Sequence, residues 1–495
     1  MSDLFQATTV GFLVALVTHA ALFLCVCLHL FRHRRRPDST LLWLFLTAAA
    51  PLAGAILYAM FGVDRVPRER WRAARDRRAA MSLGPAPEIN PDIYWRRVLA
   101  HPALPPDEWT RSLDAPFAAM TQNFPLLAGN RIDPLVTGDE AFPQMLDAIR
   151  SARDHVHLQT FIVGNDAVGR AFLDALAERA RAGVRVRFLY DRFGSSHAIF
   201  HRLFRRIRGI PGLSAAGWTQ ANLFRRQLHF NLRNHRKTLV VDGRVAFTGG
   251  INLSESETTR PGRPAIQDYH FRLEGPVVQE LQYAFLRDWH VMTEEDPAAL
   301  LLPRYFPEPA RPGTALARVL LAGPSSELRV AVDVFFNALC QARHDVLLIT
   351  PYFIPSESLL RALRQAAMRG VSVRVILPAR SNHPYTTWAS RALYEDLLDA
   401  GVRIHERRPP FIHAKAMIVD DRLAVVGSAN WDIRSLHSNY ETLLTVYDPA
   451  FVTTLHLMMN DDLRQSDEVL PPVFKSRPVR QQYLENISSL LSPLL

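Results

Sequence analysis

Apolar positions along this chain follow three patterns, and each predicts a different element. At the start, Val10–Phe31 and Leu41–Gly62 each run 22 residues without Asp, Glu, Lys or Arg. That is long enough to cross a hydrocarbon layer of roughly 30 Å, so the two segments predict transmembrane helices over about 10–31 and 41–62. The short connection Arg32–Thr40 keeps a re-entrant hairpin open as an alternative. No basic residue precedes the first segment and its apolar run is long, which argues against a cleaved signal peptide. Further on, the helix-period stretches Phe172–Arg181 and Leu359–Met368 each lead into an alternating strand pattern. Finally, Thr238-Leu-Val-Val and Ala416-Met-Ile-Val read as buried strands, each followed by a turn and a second apolar run, which predicts a pair of hairpins.

These patterns recur. Ala152-Arg-Asp-His-Val-His-Leu matches Ala342-Arg-His-Asp-Val-Leu-Leu at an offset of 190, Gly183 matches Gly370 at 187, and His235 matches His413 at 178. The shrinking offset marks two diverged copies with small insertions. Strands alternating with helices make each copy an α/β half with a mixed, largely parallel sheet flanked by helices. The resulting organisation is a membrane anchor over 1–62, a basic, Pro-rich juxtamembrane linker over 63–125, and a first half over 126–300. A link over 301–324 follows, then a second half over 325–495 that ends in an amphipathic helix near Val479–Leu491.

Composition changes the picture at one point. Of 58 Lys and Arg residues only three are Lys, and two of those stand in one frame, His235-Arg-Lys237-x4-Asp242 and His413-Ala-Lys415-x4-Asp420. Beyond six intervening residues after each Asp come Gly249-Gly250-Ile251-Asn252 and Gly427-Ser428-Ala429-Asn430. On an extended chain, residues two apart point the same way, so His and Lys of each copy project together. Asp242 and Asp420 fall at the hairpin turns, where Asp is favoured for backbone hydrogen bonding whatever the function. Turn anchoring is thus the preferred reading for them, and their place in the motif keeps them among the catalytic candidates.

Two histidines and two lysines facing one cleft contain what cleavage of a phosphodiester needs. A neutral imidazole can attack phosphorus, a protonated one can deliver a proton to the leaving oxygen, and the ammonium groups can hold the equatorial oxygens. No metal or cofactor is expected. An attacking imidazole needs an acceptor behind its other nitrogen, so each copy should carry a carboxylate. Asn252, Asn430 and Ser428 are supporting candidates, with Gly250 in place of the second copy's serine. Cys25 and Cys27 lie in the first apolar segment and Cys340 is alone, so neither a disulfide framework nor a zinc spacing exists.

The paired motif resembles the phospholipase D superfamily and, within it, the bacterial cardiolipin synthases. The similarity extends to Pro51-Leu-Ala-Gly-Ala-Ile-Leu-Tyr-Ala-Met-Phe-Gly62, Arg233-Asn-His-Arg-Lys237, Thr350-Pro-Tyr-Phe-Ile-Pro355, Asn439-Tyr-Glu441 and Ser492-Pro-Leu-Leu495. The resemblance implies two phospholipase D-like halves with the active site between them. It implies a membrane-bound phosphatidyltransferase in the bacterial inner membrane, making cardiolipin from two phosphatidylglycerol molecules through a phosphatidyl-histidine, with glycerol leaving. It puts the orienting acid of the second copy at Glu441 and that of the first at Asp268, matches the Gly250/Ser428 asymmetry, and gives the attack to His235. The alternatives are a phospholipase D or nuclease, in which water completes the reaction, and an inactive membrane scaffold. Nothing in the sequence sets an oligomeric state.

The net charge of +10 is uneven, because residues 1–78 hold 11 Arg against 5 acids. Four arginines in Arg32–Thr40 and seven in Arg65–Arg78 put the heavier side, and so both termini and the catalytic halves, in the cytoplasm by the positive-inside rule. In the body, Phe193–Val241 has no acid but eight Arg and Lys237, interleaved with Phe200, Phe204, Trp218, Phe224 and Phe230. It reads as a lip over which an anionic lipid enters, with a solvated basic face and a single-strand nucleic-acid groove as alternatives. Anionic phospholipid and membrane are the expected partners, and nucleic acid is not.

Overall fold

The computed structural model describes residues 2–32, 37–59, 103, 105–120, 124–218, 220–222, 227–229, 232–323 and 329–490. The basic stretch Arg65–Arg78, most of the Pro-rich stretch after it and the terminal Ser492–Leu495 lie outside these residues. The chain divides into two compact units, Met1–Val66 with Gln220–Leu232, and Pro67–Thr219 with Arg233–Leu495.

In the first unit, Ser2–Arg32 is one helix, and its Gly11–Arg32 portion, with a mean hydropathy of 2.4, is long and apolar enough to cross a membrane. The second apolar segment departs from expectation. It forms two shorter helices, Pro37–Ala49 and Pro51–Leu57, with Ala50 between them at φ −138°, ψ 79°. Pro51 offers no N–H and crowds the residue before it out of the helical region, which breaks the helix there. Gly54 lets the two pieces close on each other, since a Cβ at 54 would lie 2.6 Å from the Leu46 carbonyl oxygen. Val26, Leu30 and Tyr58 form a small buried cluster, with His29 Nδ1 2.7 Å from the Tyr58 hydroxyl. Phe12, Leu28, Phe31 and Phe45 point outward.

The second unit is built on one 16-stranded sheet whose strand order reads as a mirror image about its middle. The two halves meet where Leu127–Val136 pairs antiparallel with Ala315–Ala322. Outward on one side follow Tyr269–Glu274, Val245–Gly249, Thr238–Val241, His155–Thr160, Arg185–Asp191 and Leu213–Trp218. On the other side follow Asn439–Tyr447, Leu423–Gly427, Ala416–Val419, Asp345–Ile349, Ser372–Pro378 and Arg403–Arg407, closed by Ser466–Glu468. The two predicted hairpins are present, pairing Thr238–Val241 with Val245–Gly249 and Ala416–Val419 with Leu423–Gly427. The three strands joined by helical crossovers in each half run parallel, and the two-residue strand Arg233–Asn234, off the main order, pairs parallel with Asn439–Tyr440 across the seam. The expected largely parallel sheet is therefore a mixed one, because each hairpin and the seam add antiparallel pairs.

Each half has its own core. In the first, Phe142, Phe172 and Leu176 of the flanking helices pack on Leu158 and Phe188 of the sheet. In the second, Phe335, Leu339 and Leu363 pack on Leu348 and Val375. Two segments read as linkers belong to these cores instead. Glu108–Met120, inside the expected 63–125 linker, is a helix that buries Trp109, Leu113 and Phe117 in the core of the second half. The expected 301–324 link contains the strand Ala315–Ala322, whose apolar pattern is masked by the prolines before it. The C-terminal helix Val479–Ser489 is held by buried Glu485, which accepts from Arg391 and Arg477, while Val479, Tyr483 and Ile487 stay exposed.

Candidate active site

The site forms where each motif enters its hairpin, at the C-terminal end of the parallel strands. Alternation along the extended chain sends His235 and Lys237 one way and Arg236 the other. Arg236 bonds both oxygens of Asp288 at 2.6 and 2.7 Å and also donates to the carbonyls of Glu441 and Ala322. It fastens the first motif to strands of the second half. The second motif has Ala414 there and makes no such bolt.

Backbone pairing then crosses the seam twice. His235 N–H donates to Tyr440 O at 3.0 Å, and His413 N–H donates to Gln267 O at 2.7 Å. Each bond sets the residue after its acceptor, an acid, behind the histidine of the opposite half. Glu441 lies 3.0 Å from His235 Nδ1 through both oxygens, and Asp268 Oδ2 lies 2.6 Å from His413 Nδ1. Both predicted acids are therefore in the site, but crossed. Sequence order had put Glu441 with His413 and Asp268 with His235, because it cannot show which strand end lies across the seam. Holding Nδ1 leaves Nε2 of each ring as the reacting nitrogen.

The lysines complete the cluster. Lys237 Nζ donates to His235 O at 2.8 Å, and Lys415 Nζ lies 2.7 Å from His413 Nδ1 and 3.6 Å from Asp268 Oδ2. All four residues are buried, none more than 9% exposed, and their protonation is shifted accordingly. Burial pushes Lys237 down to about 7, against the pull of Glu441, and lowers Lys415 as well. Burial and then Lys415 push His413 down to about 4, and burial lowers His235 against the opposing charge of Glu441. Burial also raises the two acids, but Lys415 and His413 outweigh it at Asp268, and His235 and Lys237 outweigh it at Glu441, so both stay ionised. An arriving phosphodiester anion would reverse the shifts on the cations, because an opposite charge favours their protonated forms. Phe161 stands edge-on to His235 at 4.9 Å between ring centres, and Tyr352 to His413 at 6.2 Å.

The remaining candidates separate cleanly. Ser428 Oγ donates to Glu441 Oε2 at 2.6 Å. Asn252 Oδ1 accepts from Ile162 N at 3.3 Å, and Asn430 Oδ1 is buried without a partner among the described residues. Asp242 and Asp420 are not in the site. They sit at the far ends of their strands at φ 52° and 54°, and each gathers three backbone N–H groups, of Arg153, Asp154 and His155, and of Arg343, His344 and Asp345. They anchor the turn to the neighbouring strand, which corrects their place among the catalytic candidates. Sequence reasoning missed Arg236, Phe161 and Tyr352, and also Ser435 and Glu257. The last two occupy matching positions, at an offset of 178, but differ in residue type, so identity matching passes over them. Among the described residues no three His, Cys, Asp or Glu side chains group as metal ligands.

Comparison with known proteins gives the family. A family model described as "Cardiolipin synthase, PLD-like domain" matches residues 145–289 and 335–463, and one described as "Phospholipase_D-nuclease N-terminal" matches 20–62. A cardiolipin synthase of Geobacillus kaustophilus (strain HTA426) is 31% identical, over 99% of this chain and 95% of its own length. Cardiolipin synthase 2 of Bacillus anthracis is 33% identical, over 96% of this chain and 90% of its own. Among solved structures, phosphatidylserine synthase of Haemophilus influenzae Rd KW20 shares the fold with a TM-score of 0.59 at 15% identity, over 78% of this chain and 97% of that one. With two matched half-sites meeting at one seam, and relatives alike from end to end, this chain belongs to the cardiolipin synthase family of phospholipase D-like enzymes.

Proposed function

We propose that the protein is a membrane-bound phosphatidyltransferase that makes cardiolipin from two phosphatidylglycerol molecules and releases glycerol. The observation that carries this reading is the pair of buried histidines, each backed by an acid from the other half and each beside a lysine. In the first step His235 Nε2 attacks phosphorus, and protonated His413 gives its Nε2 proton to the leaving glycerol oxygen. The product is a phosphatidyl-histidine. In the second step His413 takes the proton of the incoming hydroxyl, whose oxygen displaces His235. Lys237 and Lys415 hold the non-bridging oxygens throughout, as charges fixed in advance of the transition state. Binding of the anionic donor supplies the proton-favouring field that His413 lacks in the empty site.

Lipid arrival has a surface to suit it. Phe193 is 64% and Phe200 81% exposed, and Arg202, Arg205 and Arg208 around them are exposed as well. The Arg233 guanidinium lies 4.2 Å from the centre of the Phe193 ring, two residues before His235. Apolar rings among cations suit an anionic lipid surface. The arginine bias favours a cytoplasmic site, with the first apolar helix crossing the inner membrane and the broken second segment returning through it. The experiment is to give purified full-length protein phosphatidylglycerol alone. Cardiolipin and glycerol in equal amounts are expected, while phosphatidic acid as the main product would make the protein a hydrolase.

A further inference from the structure

Glu257 has no part in the scheme above, yet it is built into the site. It is 2% exposed and closes a short turn after the first motif, with Oε1 accepting the Asn252 N–H at 3.3 Å. In the second half the matching bond runs from Asn430 N–H to Ser435 Oγ at 2.9 Å. Both partners stand five residues beyond their Asn, so the duplication places Glu257 where the other half has Ser435. Ser435 passes its hydroxyl proton on, donating to Glu441 Oε1 at 2.6 Å, and Ser428 donates to the other oxygen of the same acid.

The first half solves the same problem with other residues. Its acid, Asp268, is one methylene shorter than Glu441. Gly250 stands where Ser428 would donate, and a Cβ there would lie 2.1 Å from Asp268 Oδ1, so no side chain fits. Asp268 thus lacks both hydroxyl donors that Glu441 has. At the position that the duplication matches to Ser435, Glu257 Oε2 is buried and receives a hydrogen bond from no donor among the described residues, and the charge of Asp268 acts on it. A buried carboxyl oxygen with no donor, next to a second carboxylate, is where an O–H belongs, because two such groups cannot both ionise cheaply.

We propose that Glu257 is a positioning residue, a neutral carboxylic acid that donates its O–H to Asp268 as Ser435 does to Glu441, and that through Asp268 it sets how tightly His413 holds its proton. The role for His413 rests on the function proposed above. Burial and the charge of Asp268 push Glu257 up to about 8, against the pull of Lys415, and its charge in turn reaches Lys237. Asp268, Lys415 and Lys237 are the charged groups that face it. While Glu257 keeps its proton, Asp268 is partly neutralised and leaves His413 free to act as an acid. Once Glu257 ionises, two negative charges hold the imidazolium and proton delivery slows. Activity should therefore fall as the pH passes about 8, the value to which Glu257 is pushed.

The test uses the full-length protein, with folding checked by thermal unfolding. Glu257→Gln keeps a neutral donor. It should stay within about threefold of the parent at pH 7, far from the hundredfold or more that loss of a general acid costs. Its alkaline limb should move to higher pH than the parent's. Glu257→Leu removes the donor and should lose about tenfold at pH 7, where the parent's O–H is present, since one buried acceptor is left unmet. The infrared difference spectrum of parent minus Glu257→Gln, taken without substrate at pH 7, should contain the carbonyl stretch of a protonated carboxylic acid. Absence of that band, superimposable pH profiles, or loss of activity in the Gln variant would each overturn the proposal. The band needs no turnover, so a protein that shows it but makes no cardiolipin would sink the proposed function and leave the role of Glu257 standing.

Discussion

Glu441→Gln should disable the histidine of the opposite half, His235, and cost about two to four orders of magnitude in turnover. The amide can no longer hold the imidazole proton on Nδ1, so the lone pair on Nε2 is lost or misdirected. Asp268→Asn should cost a similar amount with natural donor, but for a different reason, because it acts on His413 and the proton for the leaving group. The two variants separate when the donor carries a leaving group that needs no proton, such as a nitrophenol ester of phosphatidic acid. Asp268→Asn should then recover most of its rate in the first step, and Glu441→Gln should not. The pairing within each half that sequence order suggests would give the reverse pattern. Burst measurements of nitrophenol release decide between them, because burst amplitude reports the first step alone.

The second large effect concerns Lys237→Arg and Lys415→Arg, each expected to lose about 10²–10³ in turnover, the usual cost of misplacing a donor aimed at the reacting oxygens. Shape is one reason, since an ammonium is compact and a guanidinium is a wide planar fork. Burial supplies a second. Lys237, pushed down to about 7, can shed its proton while the site is empty and regain it when an anionic lipid arrives. Arginine cannot be neutralised in this way, so it would keep a full charge out of water in a site whose lysines are 2% and 4% exposed. Both variants should fold, with thermal midpoints lowered rather than abolished. Turnover within about threefold of the parent, well inside the expected loss, would show that charge alone matters there.

How much was visible beforehand depends on what kind of information each feature needs. The paired motifs were legible because chemistry held His, Lys, Gly and Asn at equal spacing in both copies. The turn aspartates were legible from turn chemistry alone, and the structure gives each three backbone N–H groups to hold. The crossing of the acids was not legible, because it is fixed by two backbone bonds, His235 to Tyr440 and His413 to Gln267, between segments far apart in sequence. The break at Ala50–Pro51 escaped a reading based on apolar length, since hydropathy does not record a missing N–H. Ala315–Ala322 was hidden by neighbouring prolines, and Glu257 by differing from its counterpart Ser435.

The central claim is that two half-sites make one centre with a fixed division of labour, His235 bonding to phosphorus and His413 moving the proton. The direct measurement is to locate the phosphatidyl adduct. His413→Ala protein is incubated with the nitrophenol donor, quenched in alkali to preserve the phosphoramidate, digested and mapped by mass. The account predicts the added mass on His235, with none in a His235→Ala/His413→Ala control. An adduct on any other residue, or one recovered from His235→Ala protein, would contradict it.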